Sequence, residues 1–418
     1  MKIFTFGGYV FSVCAAAAML AGCGRESTPL IQSPTGITAN QTNAVAAYRI
    51  LYKFGGGSDG EDPVAGLINV RGTLYGTTAD GGDGTYGYSC CGTVFSISES
   101  GRETVLHRFK GGSADGVQPV APLLAVNGTL YGTTYGGGAK RRGTVFAITM
   151  SGKETVLYSF KGRPDGAQPL APLIDVNGTL WGTTTGGGAK GNGTVFAITM
   201  SGKETVLYSF KGGSADGQNP YGGLVNVKGK LYGTTDGGGA HCINYVACGT
   251  VFSITTSGNE TVLYSFKGGK ADGQNPKAGL VYREGKLYGT TSGGGYNASE
   301  PGNGIAFAVT PSGAETVLHR FGYRHDGAIP QAALLDVNGT LYGTTTNGGA
   351  YGYGTVFEIL ASGKERVLYN FADHGDGYYP MASLISVKGS LYGTTPSGGG
   401  GCYSTVDEGC GTVFVLKP

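Results

Sequence analysis

From about residue 48 onward, apolar and polar positions fall into short runs that recur along the chain. The third copy shows the set most plainly: Leu173 to Val176, Thr179 to Thr184 (TLWGTT), Thr194 to Thr199 (TVFAIT) and Thr205 to Phe210 (TVLYSF). These runs are rich in β-branched and aromatic residues and are bounded by Gly, Asn and Ser, which marks them as strands. Helical periodicity is absent, so the fold class is all-β. The phrase Leu-aromatic-Gly-Thr-Thr occurs seven times, with its aromatic at Tyr75, Tyr131, Trp181, Tyr232, Tyr288, Tyr342 and Tyr392. The intervals are 56, 50, 51, 56, 54 and 50 residues, a spacing that predicts the blades of a propeller.

The connections separate two faces. Runs one and two are joined by tight pairs such as Asn127-Gly128 and Asn177-Gly178, the strongest short hairpin signal. Runs three and four are joined by Ser-Gly, as at Ser151-Gly152. The connection between run two and the Gly that precedes run three varies instead, with 13, 8, 8, 13, 12, 8 and 15 residues. In an up-and-down blade that loop shares a face with the link to the next blade, so surface variety gathers on one side. The chain ends after a third run, Thr412 to Leu416, while Tyr48 to Phe54 (YRILYKF) matches a fourth run. The N-terminal strand therefore completes the last blade, closing a seven-bladed β-propeller of four-stranded blades without an open edge.

GxLYGTT, GGG, GTVFxI, SGxETVLYSF and DGxxP together resemble the bacterial Gloeo/Verruco (GloVer) repeat of the choice-of-anchor tandem-repeat proteins. The resemblance covers roughly residues 48–418 and implies a propeller on an exported, anchored protein, with no activity attached. Repeat five departs from the pattern, reading Gly304-Ile305-Ala306-Phe307 in place of Gly-Thr-Val-Phe.

Composition adds a location. Lys2 precedes a largely apolar stretch that closes at Leu20-Ala21-Gly22-Cys23, which resembles a bacterial lipoprotein signal. The resemblance implies a signal over residues 1–22 and a mature chain starting at an acylated Cys23, its partner being a lipid bilayer. Gly24 rather than aspartate after that cysteine implies the outer membrane, with the propeller either periplasmic or surface-exposed. Residues 23–47 are rich in Ser, Thr, Pro, Asn and Gln and predict a flexible tether. The formal net charge of +2 excludes a nucleic-acid partner, which needs a concentrated basic face.

Candidate chemistry sits on the variable face. Six cysteines fall in three of its loops: Cys90 and Cys91, Cys242 and Cys248, Cys402 and Cys410. Even numbers in an exported chain predict disulfides Cys242–Cys248 and Cys402–Cys410 in preference to zinc, while an adjacent Cys90–Cys91 bridge stays an open alternative. Asp59, Asp115, Asp165, Asp216, Asp272, Asp326 and Asp376 each precede Gly in a link, as expected of carboxylates that bond turn N–H groups. His107 and His319 stand where the fourth run elsewhere has Tyr, so they read as strand residues, and no metal or cofactor site is expected. The loops also carry Tyr86, Tyr88, Tyr135, Tyr245, Tyr296, Tyr351, Tyr353 and Tyr403. Such tyrosines can stack on sugars or anchor a protein, or they can simply pack over glycine, and both accounts stand. No unlike acid–base set breaks the repeat, so the expectation is a non-enzymatic module binding an extracellular glycan or protein. A periplasmic outer-membrane assembly scaffold is the alternative, and a glycan lyase or hydrolase ranks below it.

Overall fold

Seven four-stranded antiparallel sheets follow one another along the chain, and each repeat builds one of them. The computed structural model describes residues 47–82, 90–241, 248–295, 302–324, 326–372, 375–400, 402 and 409–418. The backbone of Thr5–Phe6 and Tyr9–Val10 is also described, as a separate two-stranded ladder. The propeller lies within Val45–Pro418, a unit distinct from Met1–Ala44. Among the described residues no helix is long and apolar enough to cross a membrane.

Blade three runs from Ile174–Val176 through Thr179–Thr184 and Thr194–Thr199 to Glu204–Ser209, within a residue of the runs read from the sequence. Its first strand lies beside the first strands of blades two and four, Leu124–Val126 and Val225–Val227. First strands therefore line the axis and fourth strands form the rim. The last blade orders Ile385–Val387, Ser390–Thr395, Thr412–Lys417 and finally Ala47–Lys53, with Tyr48 opposite Leu416 and Ile50 opposite Phe414. The N-terminal strand thus closes the ring.

The repeated letters correspond to repeated contacts. A Cβ on Gly182 would lie 2.7 Å from Cζ of Phe196 and 2.9 Å from Cδ2 of Leu173, so the strand must carry glycine where that ring lies across it. Phe196 is fully buried and meets Phe160 of the preceding blade edge-on at 5.1 Å. An equivalent phenylalanine pair occupies every seam between blades, from Phe54–Phe95 to Phe371–Phe414. Burying each such ring contributes roughly 1.5–3 kcal/mol.

The paired threonines are equally specific. Thr134 Oγ1 donates to Gly136 O at 2.8 Å, which leaves it to accept from Thr144 Oγ1 at 2.8 Å and Thr144 N at 3.1 Å. Blade five has Ile305 in place of that second threonine. Its strand Ile305–Val309 is nonetheless formed, and Ile305 N still donates to Thr291 Oγ1 at 3.2 Å.

Two backbone features position the rim. The third and fourth strands of blade two pair Val145 with Tyr158 and Phe146 with Val156, leaving Leu157 as a bulge. The carbonyl of Leu157 faces Gly202 in the Ser-Gly turn of blade three, which staggers one outer strand against the next. The glycine-rich runs are paired as well: Gly186–Gly187 forms a short ladder with Gly166–Ala167 of the link. On the opposite face, Asn127 and Gly128 have φ of 50° and 79°, the double left-handed geometry of a type I′ hairpin turn.

Candidate binding face and interblade seams

The variable face separates the candidate tyrosines. Tyr135 is half-buried, and its hydroxyl accepts a hydrogen bond from Gln168 Nε2 at 2.6 Å. Tyr353 packs 5.5 Å from Tyr378 and 5.9 Å from Tyr379. Tyr351 is different, because it is 62% exposed. Gly349 N donates to Tyr323 O at 2.6 Å, which holds the loop of Tyr351 against the link carrying Tyr323, itself 45% exposed. Tyr323, Tyr378 and Tyr379 were not sequence candidates, since they lie in links rather than in loops. Tyr86, Tyr88, Tyr245, Tyr296 and Tyr403 lie outside the described residues, as do Cys23 and Cys242.

Cys402 is bonded to Cys410, and Cys90 to Cys91. Cys248 is buried. Trp181 is 6% exposed and belongs to the core shared by blades three and four.

A second set of residues lies nearer the axis, where the inner strands of blades four and five begin. Thr234 Oγ1 of blade four donates to Ala278 O of blade five at 2.8 Å, drawing Lys277 beside the end of blade four's second strand. There Asn275 Nδ2 donates to the Asp236 backbone carbonyl at 3.1 Å, and the Lys277 ammonium lies 5.8 Å from the Tyr221 ring. Burial pushes the Asp236 carboxyl up, with Lys277 and Asn275 opposing the shift. Burial pushes the Lys277 ammonium down, opposed by Asp236. The equivalents of Asp236 are Ala79, Tyr135, Thr185, Ser292, Thr346 and Pro396, and those of Lys277 are Val64, Val120, Leu170, Tyr221, Gln331 and Met381. One charged pair therefore interrupts two otherwise uncharged rings of positions. The two residues are 41 positions apart, and only the blade-to-blade contact brings them together.

The link aspartates work as the turn argument requires. Asp165 Oδ1 accepts from Gly166 N at 2.7 Å, and Oδ2 accepts from Lys161 N at 2.9 Å and from the Tyr158 hydroxyl at 2.8 Å. Asp216 and Asp272 repeat the arrangement with Tyr208 and Tyr264. The sequence did not reveal the third member of the set, the glutamate that opens the next blade's outer strand. Glu204 is pushed up to about 7 by burial first and the Asp165 charge second. Glu103, Glu260 and Glu315 are raised likewise, each facing the aspartate of its own seam. At two seams histidine replaces the tyrosine, giving His107–Asp115–Glu154 and His319–Asp326–Glu365. At the seam between blades six and seven Tyr48 stands in the place of the glutamate and stacks on Tyr369 at 3.9 Å.

The ring of seven four-stranded blades makes this protein a seven-bladed β-propeller. The chain belongs to the Gloeobacter/Verrucomicrobia repeat family, whose model matches it over residues 32–247, 84–300 and 213–407. No curated protein matches it. Among solved structures, it is similar to a putative 6-phosphogluconolactonase from Bacteroides uniformis, with 14% identity, TM-score 0.48, and 77% of this chain and 89% of that chain covered. A putative oxidoreductase (glucose dehydrogenase) from Thermus thermophilus is 14% identical, with TM-score 0.44 and coverage of 89% and 99%. The tricorn protease is 10% identical at TM-score 0.42, over 79% of this chain, which spans only 27% of the protease's length. Likenesses this distant say nothing about what this chain binds or does.

Proposed function

We propose that the chain is a lipid-anchored propeller of the bacterial envelope, a non-enzymatic binding module that takes an extracellular glycan or protein on its variable-loop face. The observation that carries this reading is the exposure of Tyr323 and Tyr351, 45% and 62%, on a link and a loop of that face that are joined by the bond from Gly349 N to Tyr323 O. Two amphipathic rings on well-paired backbone offer contact area at little cost in conformational entropy, as stacking on a sugar or docking a protein demands. The sequence Leu20-Ala21-Gly22-Cys23 supports the anchor, with Cys23 as the acylated residue at the outer membrane. The test is a glycan array followed by crosslinking to envelope proteins, using wild type, Tyr351→Ala with Tyr323→Ala, and Tyr282→Ala on a blade's inner strand. Binding should fall at least tenfold in the double variant and persist in Tyr282→Ala. Equal binding by all three would refute the assigned face. A Cys23→Ser chain that still sediments with membranes would refute the anchor.

A further inference from the structure

The two histidine-bearing seams differ in a way that their shared donor set conceals. At blades five and six, His319 Nε2 lies 2.7 Å from Asp326 Oδ2, a completed hydrogen bond. At blades one and two, His107 Nε2 stands 3.7 Å from Asp115 Oδ2, too far for one. His107 Nε2 is shut off from solvent and has no hydrogen-bond partner among the described residues, whereas Glu154 Oε1 is unpartnered like the same oxygen of Glu365 and the other seam glutamates. The donor atoms of His107, Asp115 and Glu154 nevertheless all lie within 4.8 Å of one another. Ligands bonded at about 2.0–2.2 Å to one ion sit about 3.3 Å apart in a tetrahedron, so small side-chain movements would gather these three around a common centre.

The supporting shell is already in place. Asp115 is oriented by Gly116 N on Oδ1 and Lys110 N on Oδ2, both at 2.7 Å. The imidazole stands edge-on to Phe109 at 4.8 Å, which fixes the direction of its ring nitrogens. Outer contacts of this kind decide whether a donor set is held ready for an ion.

The geometry points to a binding site for a divalent first-row transition ion, zinc being the best fit, formed by His107, Asp115 and Glu154 across the seam between blades one and two. One imidazole nitrogen and two carboxylate oxygens suit zinc, and with only three protein ligands a fourth position is left for water. Because the donors come from both blades, the ion would clamp the ring at that seam. The other seams provide a control, since Tyr52, Tyr158, Tyr208, Tyr264 and Tyr369 occupy the histidine position there.

The experiment measures the thermal midpoint of the full chain, stripped with chelator and then titrated with zinc chloride or magnesium chloride. At a hundredfold excess over Kd, zinc should raise the wild-type midpoint by about 3 °C, and magnesium should leave it unmoved. His107→Tyr restores the residue used at the other seams, so it should fold with an unchanged metal-free midpoint and lose the zinc shift. His319→Tyr should keep the shift. Anomalous scattering from zinc-soaked crystals should place the ion between His107 and Glu154. No zinc shift in wild type, a shift that survives His107→Tyr, or one abolished by His319→Tyr would each overturn the assignment.

Discussion

Glu204→Gln tests the seam chemistry most directly. Glu204 is half-buried, faces Asp165 and the Tyr158 hydroxyl, and is pushed from 4.5 up to about 7, chiefly by burial. In the unfolded chain a glutamate titrates near 4.3. Between those values the folded protein binds more protons than the unfolded one, so stability must fall as pH rises through that window, the loss being complete by about pH 8. A fully shielded group shifted this far would represent roughly 3 kcal/mol, but water reaches this one, and screening reduces the figure to about 0.5–1 kcal/mol. Gln keeps the shape of the protonated acid without its charge. The variant should therefore gain about 0.5–1 kcal/mol over wild type at pH 8 and almost nothing at about pH 3.5, below the unfolded value. Converting Glu103, Glu204, Glu260 and Glu315 together should give about four times that gain and flatten the pH dependence. Urea midpoints at the two pH values supply the assay. A loss of stability at pH 8, or the same change at both pH values, would show that charge at the seam is not what burial penalises.

The remaining predictions concern the core. Gly182→Ala drives a Cβ to 2.7 Å from the Phe196 ring and should cost about 1–3 kcal/mol. A double-mutant cycle with Phe196→Leu should recover part of that cost, and simple additivity in urea denaturation would contradict the proposed clash. Thr134→Val removes one donor and an acceptor of two bonds at a buried site, so it should cost about 2–3 kcal/mol, whereas Thr144→Val should cost only about 1 kcal/mol. Equal losses in the two threonine variants would count against the assigned direction of those hydrogen bonds.

What could be read from the sequence, and what could not, divides by how far apart the interacting residues lie. Strands, hairpin turns and the blade number are properties of a single repeat, and seven near-copies make each legible. Ring closure was legible because Tyr48 to Phe54 repeats a pattern whose place in the blade was already known. The link aspartates were legible as turn residues, since the N–H groups they bind lie within five positions, as Lys161 and Gly166 do around Asp165. Glu204 escaped notice because it meets Asp165 only through the stagger set by the Leu157 bulge, and no local pattern announces that register. The same geometry hid the histidines. Within its own repeat His107 is one strand residue replacing tyrosine, and it becomes chemically distinct only when blade two brings Glu154 beside it. A perfect repeat therefore conceals its sites from sequence reasoning. Each position is interpreted through its copies, whereas chemistry at a seam depends on which two imperfect copies become neighbours.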